Sequence, residues 1–304
     1  MRIVVALGGN ALSERGETLT AERQRASIRI AARALAALLE AGHEVVITHG
    51  NGPQVGYLAM QSSGFPLDIL GAETDGMIGY VLQQELDNEY APDVEYATLL
   101  TQIEVDPKDP AFQKPTKFIG PVYTEEVAAR LSAEHGWTIG KDGAHFRRTV
   151  PSPRPRRILE IDVIKLLLDQ GVVVICAGGG GIPVVQKEDG TMIGVEAVID
   201  KDHSSGLLAR DIEADAFLML TDVEGVFSGW GTPDQKRIDR ATPEELRQMD
   251  FPAGSMGPKI DAACEFAEAT GGFAAIGRLA DTLGLIEGTT GTRIELDRDT
   301  PPGL

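Results

Sequence analysis

Ile3-Val4-Val5-Ala6-Leu7-Gly8-Gly9-Asn10 is an apolar, β-branched run that ends abruptly in two glycines and an asparagine. A run that is apolar on both faces is a strand buried between two helix layers, the pattern of a parallel sheet in an α/β protein. The pattern recurs where Val45 to Thr48 leads through His49 into Gly50, Asn51 and Gly52, and again where Val172 to Ala177 opens into Gly178, Gly179, Gly180 and Gly181. Each run delivers bare backbone to a strand end. Open α/β sheets bind ligands outside the carboxyl ends of their strands, and glycine lets backbone N–H groups converge on an anion with no Cβ in the way. Three such turns predict one site for a phosphate-rich ligand.

Working outward, Thr20 to Ala41 carries an apolar stripe at Ile28, Ala31, Leu35, Leu38 and Leu39, with Thr20 as a cap and Gly42 as a stop, so a helix joins the first two strands. A right-handed crossover makes those strands parallel and puts both glycine turns on one sheet edge. Asp106 to Pro155 holds seven prolines with weak periodicity and reads as an excursion from the main sheet. The α/β pattern resumes with a helix over Ile158 to Gln170 before the third strand. A short strand around Val195 to Ile199, a helix near Ser204 to Ile212 and a strand at Phe217 to Leu220 follow. The chain finishes with a helix over Pro258 to Thr270 and strands at Phe273 to Ile276 and Thr292 to Leu296.

A chain of 304 residues has room for one large α/β domain or two joined lobes. It has no apolar run near 18 residues and no signal-peptide pattern, which predicts a cytoplasmic protein with no membrane span. Cys176 and Cys264 match no metal or redox spacing and read as buried thiols. A net charge of −18 argues against nucleic acid and anionic membranes as partners. With nine lysines, none before Lys108, against nineteen arginines, a lysine in a glycine-rich turn stands out from surface decoration.

Two common nucleotide fingerprints fail. The Gly140-Lys141 pair is followed by Asp142 and preceded by His135 at the first loop-glycine position, so it is no P-loop, and the dinucleotide pattern meets Pro183 or Val55 where its last glycine belongs. Glycine followed by asparagine occurs at two strand ends, where a carboxamide offers donors and an acceptor to a small polar group; tight turns use the same residues. In Gly254-Ser255-Met256-Gly257-Pro258-Lys259, Pro258 fits a first helical position and puts Lys259 in the first turn. A cation there opposes the helix dipole by about 0.3 to 1 kcal/mol, which makes sense if an anion is bound; a surface lysine with a packed stem is the plain alternative. Asp200-Lys201-Asp202 is either a solvated charge cluster or a phosphate-binding lysine with carboxylates that orient it and approach Mg²⁺ through water. Thr221-Asp222-Val223-Glu224-Gly225-Val226-Phe227 after an apolar strand fits a nucleotide loop or an ordinary acidic strand end.

These segments in this order resemble the carbamate kinases of the amino acid kinase superfamily: VALGGNAL (5–12), THGNGPQVG (48–56), DPAFQKPTKFIGP (109–121), RRTVPSPRP (147–155), AGGGGIPV (177–184), EAVIDKD (196–202), LTDVEGVF (220–227), GSMGPKI (254–260) and IGRLADTLGLIEGTTGT (276–292). The resemblance implies a three-layer αβα sandwich around a mainly parallel sheet of about eight strands, with a small protruding subdomain. It implies one amino-acid-kinase-type domain over 1–304: an N-terminal lobe to about 177 on the carbamate side, carrying the subdomain at about 113–155, and a C-terminal lobe from about 178 on the nucleotide side. It implies a homodimer that uses Mg²⁺, held mainly by nucleotide phosphates and water, and that moves a phosphoryl group between ATP and carbamate, running towards ATP from carbamoyl phosphate and ADP.

Carried over by motif, Gly8, Gly9, Asn10, Gly50 and Asn51 hold carbamate and the moving phosphoryl group, supported by Gly178, Gly179 and Gly180. Lys201 and Lys259 neutralise its oxygens while Asp200 and Asp202 orient lysines and Mg²⁺. Thr221, Asp222, Val223, Val226, Phe227, Met256 and Gly257 face the nucleotide. Many relatives place a lysine in the protruding subdomain shortly after a residue like Trp137; here Gly140 takes that position, leaving Lys141, Arg147 or Arg148 to supply the charge. A kinase for another small acid or phosphonate, and a non-catalytic nucleotide or anion binder on the same scaffold, are the competing readings.

Overall fold

The computed structural model describes residues 1–12, 20–61, 64–90, 94–252 and 254–297, without the side chains of Asn10 and Ala11. Its central sheet comprises β1 (Arg2–Leu7), β2 (Glu44–His49), β3 (Tyr96–Thr98), β4 (Val173–Ile175), β5 (Ala216–Thr221), β6 (Arg240–Ala241), β7 (Phe273–Arg278) and β8 (Thr292–Ile294). Their order across the sheet is β6-β8-β7-β5-β1-β2-β4-β3. Neighbours run parallel except β7 and β8.

Register sets the site. Leu7 lies level with His49 on one side and Leu220 on the other, and Ile47 with Ile175, so the carboxyl ends of β4, β2, β1 and β5 open on one edge. The chain winds from β1 to β2 on one side and later reaches β5 on the other, which makes the β1 edge a switch point of the kind that binds ligands.

Strand alternation sorts the core into two layers. Ile3, Val5 and Leu7 pack under helices α1 (Ala21–Glu40) and α3 (Leu67–Glu89), through Ile28, Leu35, Ile78 and Leu82. Val4, Ala6, Phe217 and Met219 face α4 (Lys201–Asp211) and α5 (Met256–Thr270), where Leu208, Ile260 and Phe266 are buried. Thr20 caps α1 through the N–H of Arg23, as expected. Between α1 and α3, the buried Glu85 carboxylate accepts from Arg25 and Arg29 at 2.7 and 2.9 Å.

From residue 117 the chain builds a separate three-stranded antiparallel sheet, Lys117–Tyr123, His145–Val150 and Thr138–Asp142, with the helix Glu125–His135 beside it. It docks on α2 (Gly52–Gln61), where a Cβ on Gly56 would lie 2.0 Å from the Cα of Gly120. Two glycines allow that contact.

Several elements differ from the expectation. Residues 195–199 form no strand, because the Ala197 N–H turns back onto the Val195 carbonyl at 2.9 Å; the short strand is Met192–Gly194. The helix expected near Ser204 starts at Lys201, with Asp200 as its cap. The helix expected from Pro258 starts at Met256. Pro258 then stands third, still within the first turn, whose N–H groups have no intrahelical partner, so proline costs no bond there.

Candidate active site

The first glycine turn is stitched into the sheet edge, with the Gly8 N–H on Leu220 O at 2.9 Å and the Gly50 N–H on Leu7 O at 3.0 Å. A Cβ on Gly50 would lie 3.2 Å from the Gly9 nitrogen and 3.4 Å from Cδ of Lys201, so the first two turns and the α4 lysine converge. The side chain of Asn10 lies outside the described residues.

The third turn packs against the second. Ala177 has φ of +49°, a conformation that costs a non-glycine residue about 1–3 kcal/mol, and its N–H is held by Thr101 Oγ1 at 2.9 Å. Gly179 and Gly180 follow at φ of +65° and +94°. A Cβ on Gly178 would strike Asp75 and His49; one on Gly179 would strike the Asn51 carboxamide; one on Gly180 would strike Ile199 O. No side chain fits at any of the three.

The charged centre forms at the start of α4. Asp200 accepts the Asp202 N–H at 2.9 Å, the ordinary work of an N-cap aspartate. Asp202 then takes Lys201 Nζ at 2.5 Å on one oxygen and Lys259 Nζ at 2.8 Å on the other, all three nearly buried. Thr48 helps to place this turn: its hydroxyl meets Ser205 Oγ at 2.6 Å, and Ser205 donates to Lys201 O at 2.6 Å.

The second oxygen of Asp200 pairs with Lys117, from the first strand of the separate three-stranded sheet. Sequence reasoning missed this lysine. It lay inside the DPAFQKPTKFIGP stretch, but nothing local separates it from Lys114, and its partner is 83 positions away. Lys141 is exposed and pairs in register with Phe146. The structure brings Lys117 to the acidic pair, and not Lys141. Gly140 has no room for a lysine, since a Cβ there would lie 2.7 Å from Thr149 Cγ2. Arg147 is spent on Gly120 O at 2.8 Å and on Asp142, and Arg148 lies over the Trp137 ring at 4.5 Å.

Burial and pairing set the protonation of this cluster. Burial drives Lys201 down to about 8 despite the pull of Asp202, with Lys259 adding to the fall. Burial also works against the Lys259 charge, but Asp202 outweighs it and holds that lysine above its ordinary range. For Asp202, burial is overcome by Lys201 and Lys259, and for Asp200 by Lys117 and His203, so both carboxyls sit below the usual carboxylate range. Lys117, Lys201 and Lys259 thus face Asp200 and Asp202, one positive charge in excess at neutral pH. Such a centre suits an anion.

On the opposite flank, β5 ends at Thr221, whose hydroxyl donates to Asp222 at 3.0 Å, and Val223 is half-buried. Val226 is fully buried in the core with its N–H on Thr292 Oγ1 at 2.8 Å, so it anchors the loop instead of facing a ligand. Phe227 stacks edge-on against Trp230, centroids 5.4 Å apart. Met256 packs against the core, and the Gly257 N–H bonds Pro252 O at 3.0 Å. A cavity of about 580 Å³ lies beside the start of α5, lined by His203, Phe251, Gly257, Pro258 and Cys264.

The model of the amino acid kinase family matches residues 1–275. The chain is 57% identical to a carbamate kinase of Rhizobium meliloti over 302 residues, covering 97% of this chain and 93% of that protein. The chain belongs to the carbamate kinases of the amino acid kinase family. It is also 45% identical to a carbamate kinase of Pyrococcus furiosus, covering 96% and 98% of the two chains. A carbamate kinase from Giardia lamblia bound to AMP-PNP superposes with a TM-score of 0.87 at 40% identity, covering 97% of this chain and 98% of that one. The αβα sandwich around an eight-stranded, mostly parallel sheet is thus the fold of this carbamate kinase family member.

Proposed function

We propose that this kinase makes ATP from ADP and carbamoyl phosphate, reversibly phosphorylating carbamate, with the chemistry centred on Asp202 and the two lysines it holds. That shared carboxylate is the observation that carries the reading: it presents Lys201 and Lys259 side by side at the edge where the glycine turns converge. A terminal ADP oxygen attacks phosphorus as the bond to the carbamate oxygen breaks. Both nucleophile and leaving group are anions, so no proton needs to move, and the enzyme's work is alignment and neutralisation of charge on the transferred group. Gly8, Gly9, Gly50 and Asn51 hold carbamate; Lys201, Lys259 and Lys117 meet the phosphoryl oxygens; Asp200 and Asp202 keep the lysines in place. Thr221, Asp222, Val223 and Phe227, on a loop anchored by Val226, flank the nucleotide together with Met256 and Gly257.

Lysines occupy Asp200 and Asp202, and among the described residues no cluster of three or more His, Cys, Asp or Glu is placed to hold a metal. This donor set fits Mg²⁺ carried on the nucleotide phosphates, with Asp200 and Asp202 reaching it through water. When bound, Mg²⁺ would neutralise charge on the nucleotide phosphates.

The protein acts in the cytoplasm as a homodimer in this reading. No helix among the described residues is long and apolar enough to cross a membrane. Ile69, Met77 and Tyr80 form an exposed stripe on α3, and Gly76 beside them permits close approach of a second copy. The deciding assay is ATP formation from carbamoyl phosphate, ADP and Mg²⁺ with an enzyme-free control. ADP binding without turnover would favour another acceptor or a binding role.

A further inference from the structure

Asn51 and Thr74 are both buried, and the Asn51 Nδ2 atom donates to Thr74 Oγ1 at 2.8 Å. Thr74 in turn donates its own hydroxyl proton to the Gly71 carbonyl one turn back in α3, also at 2.8 Å. A hydroxyl has one proton. With that proton committed to the helix, Thr74 offers Asn51 only a lone pair, and only the NH₂ branch of the carboxamide can meet it. The carboxamide oxygen is thereby left on the other branch.

Asn51 sits in the turn read as the acceptor side. It follows Gly50, which packs on Gly9 and Lys201, and its whole carboxamide lies against Gly179, where a Cβ would come 2.1 Å from Nδ2 and 2.7 Å from Oδ1. One position on, Asp75 faces His49 across 3.4 Å, so α3 is registered against both polar residues that flank Gly50. The orientation of the carboxamide is built in from below.

We propose that Thr74 is a positioning residue for acceptor choice: it holds the Asn51 carboxamide with its oxygen towards the acceptor, so that the site selects an acyl group bearing N–H. The inference rests on the carbamate kinase reading and names what that site discriminates. Carbamate and carbamoyl phosphate carry an NH₂ group, a donor that a carboxamide oxygen can accept. Acetate and acetyl phosphate have the same shape with a methyl group, which would leave that oxygen desolvated and unpaired, and sites built to bond a substrate N–H reject such analogues strongly. With the carboxamide reversed, NH₂ would face NH₂ and the preference would be lost.

The test compares kcat/KM for carbamoyl phosphate and acetyl phosphate, with ADP and Mg²⁺, in wild type, Thr74→Val and Thr74→Ser. Wild type is expected to prefer carbamoyl phosphate by roughly 10²-fold or more. Thr74→Val should cut that ratio by about tenfold or more, because the freed carboxamide can turn, while Thr74→Ser should keep it. Thr74→Ala repeats the comparison if the valine variant does not fold. A merely structural role would lower both substrates together and leave the ratio unchanged, and that result overturns the inference. Equal use of both acyl phosphates by wild type overturns it while leaving the kinase reading intact. Turnover of neither overturns both.

Discussion

His49 Nε2 stands 3.4 Å from Asp75 Oδ1, with neither side chain reaching solvent. Neither that nitrogen nor either carboxylate oxygen has a hydrogen bond to another described residue. The pair is closed from above by Gly178, where a Cβ would lie 1.9 Å from Asp75 Oδ1 and 2.5 Å from the imidazole. A buried imidazole and carboxylate therefore form the floor under the third glycine turn.

Gly178→Ala should lower kcat/KM for carbamoyl phosphate by about 10²-fold and stability by about 1–3 kcal/mol, the usual cost of forcing a methyl into a packed site. Steady-state kinetics and urea unfolding measure the two effects. Because the clash is with Asp75, the double variant Gly178→Ala with Asp75→Ala should lose less than the sum of the two single changes. Strict additivity would show that the close contact is not what excludes the methyl.

Lys259→Met should cost about 10² to 10³ in kcat, as removal of one preorganised charge-stabilising donor does elsewhere. A fall of less than fivefold at saturating substrates would remove Lys259 from the chemistry. Asp202→Asn should be at least as damaging, since Asp202 holds Lys259 and Lys201 together. Its effect should not add to that of Lys259→Met.

Lys117→Met should lower kcat/KM by tenfold or more, and Lys141→Met by less than about twofold. The contrast follows from placement: Lys117 pairs with Asp200, while Lys141 is exposed on the three-stranded sheet. Equal losses would return Lys141 to the site. Gly56→Ala should resemble Lys117→Met more closely than a loss of folding does, because it disturbs the face on which the Lys117 strand docks.

Much of the fold was legible in the sequence because the signals were local. β1, β2 and β5 are continuous apolar runs with a helical stripe or a glycine stop on either side, and their parallel register puts the glycine turns on one edge. Helix α3 was not legible. It contains Gly71, Gly76 and Gly79 and buries Thr74, Asp75 and Glu85 among Leu70, Ile78, Leu82 and Leu86, so polar residues and glycine interrupt the apolar stripe that would have marked it. Those polar residues face the Asn51 carboxamide, the His49 ring and the α1 arginines, partners supplied only by the tertiary fold. Lys117 escaped for the same reason. Lys259 was readable because Pro258 marks a helix start beside it and Lys201 because carboxylates flank it, whereas their meeting on one carboxylate required the packing of α4 on α5.

The last prediction concerns pH. Lys201 is pulled down to about 8, chiefly by burial, and its charged form is the one that meets a phosphoryl oxygen. Below pH 8 the ammonium is present; above it the charge is lost, so kcat/KM for carbamoyl phosphate should fall with a single ionisation near pH 8, while kcat falls later because a bound anion favours the charged lysine. Lys201→Arg should abolish that alkaline limb whatever its effect on rate, since arginine stays charged. The stability contribution has its own sign. Between about 8 and the ordinary lysine value of about 10.4 the unfolded chain binds the proton that the folded chain has released, so stability from this group rises with pH through that window. The Asp200 and Asp202 carboxyls, held low in the folded state, contribute stability above the unfolded value of about 3.9 and lose it as pH falls towards their folded values. Thermal unfolding of wild type and Lys201→Met from pH 7 to 10 isolates the lysine: the difference between them should change with pH in that window, and a flat difference would mean that Lys201 carries its ordinary pKa.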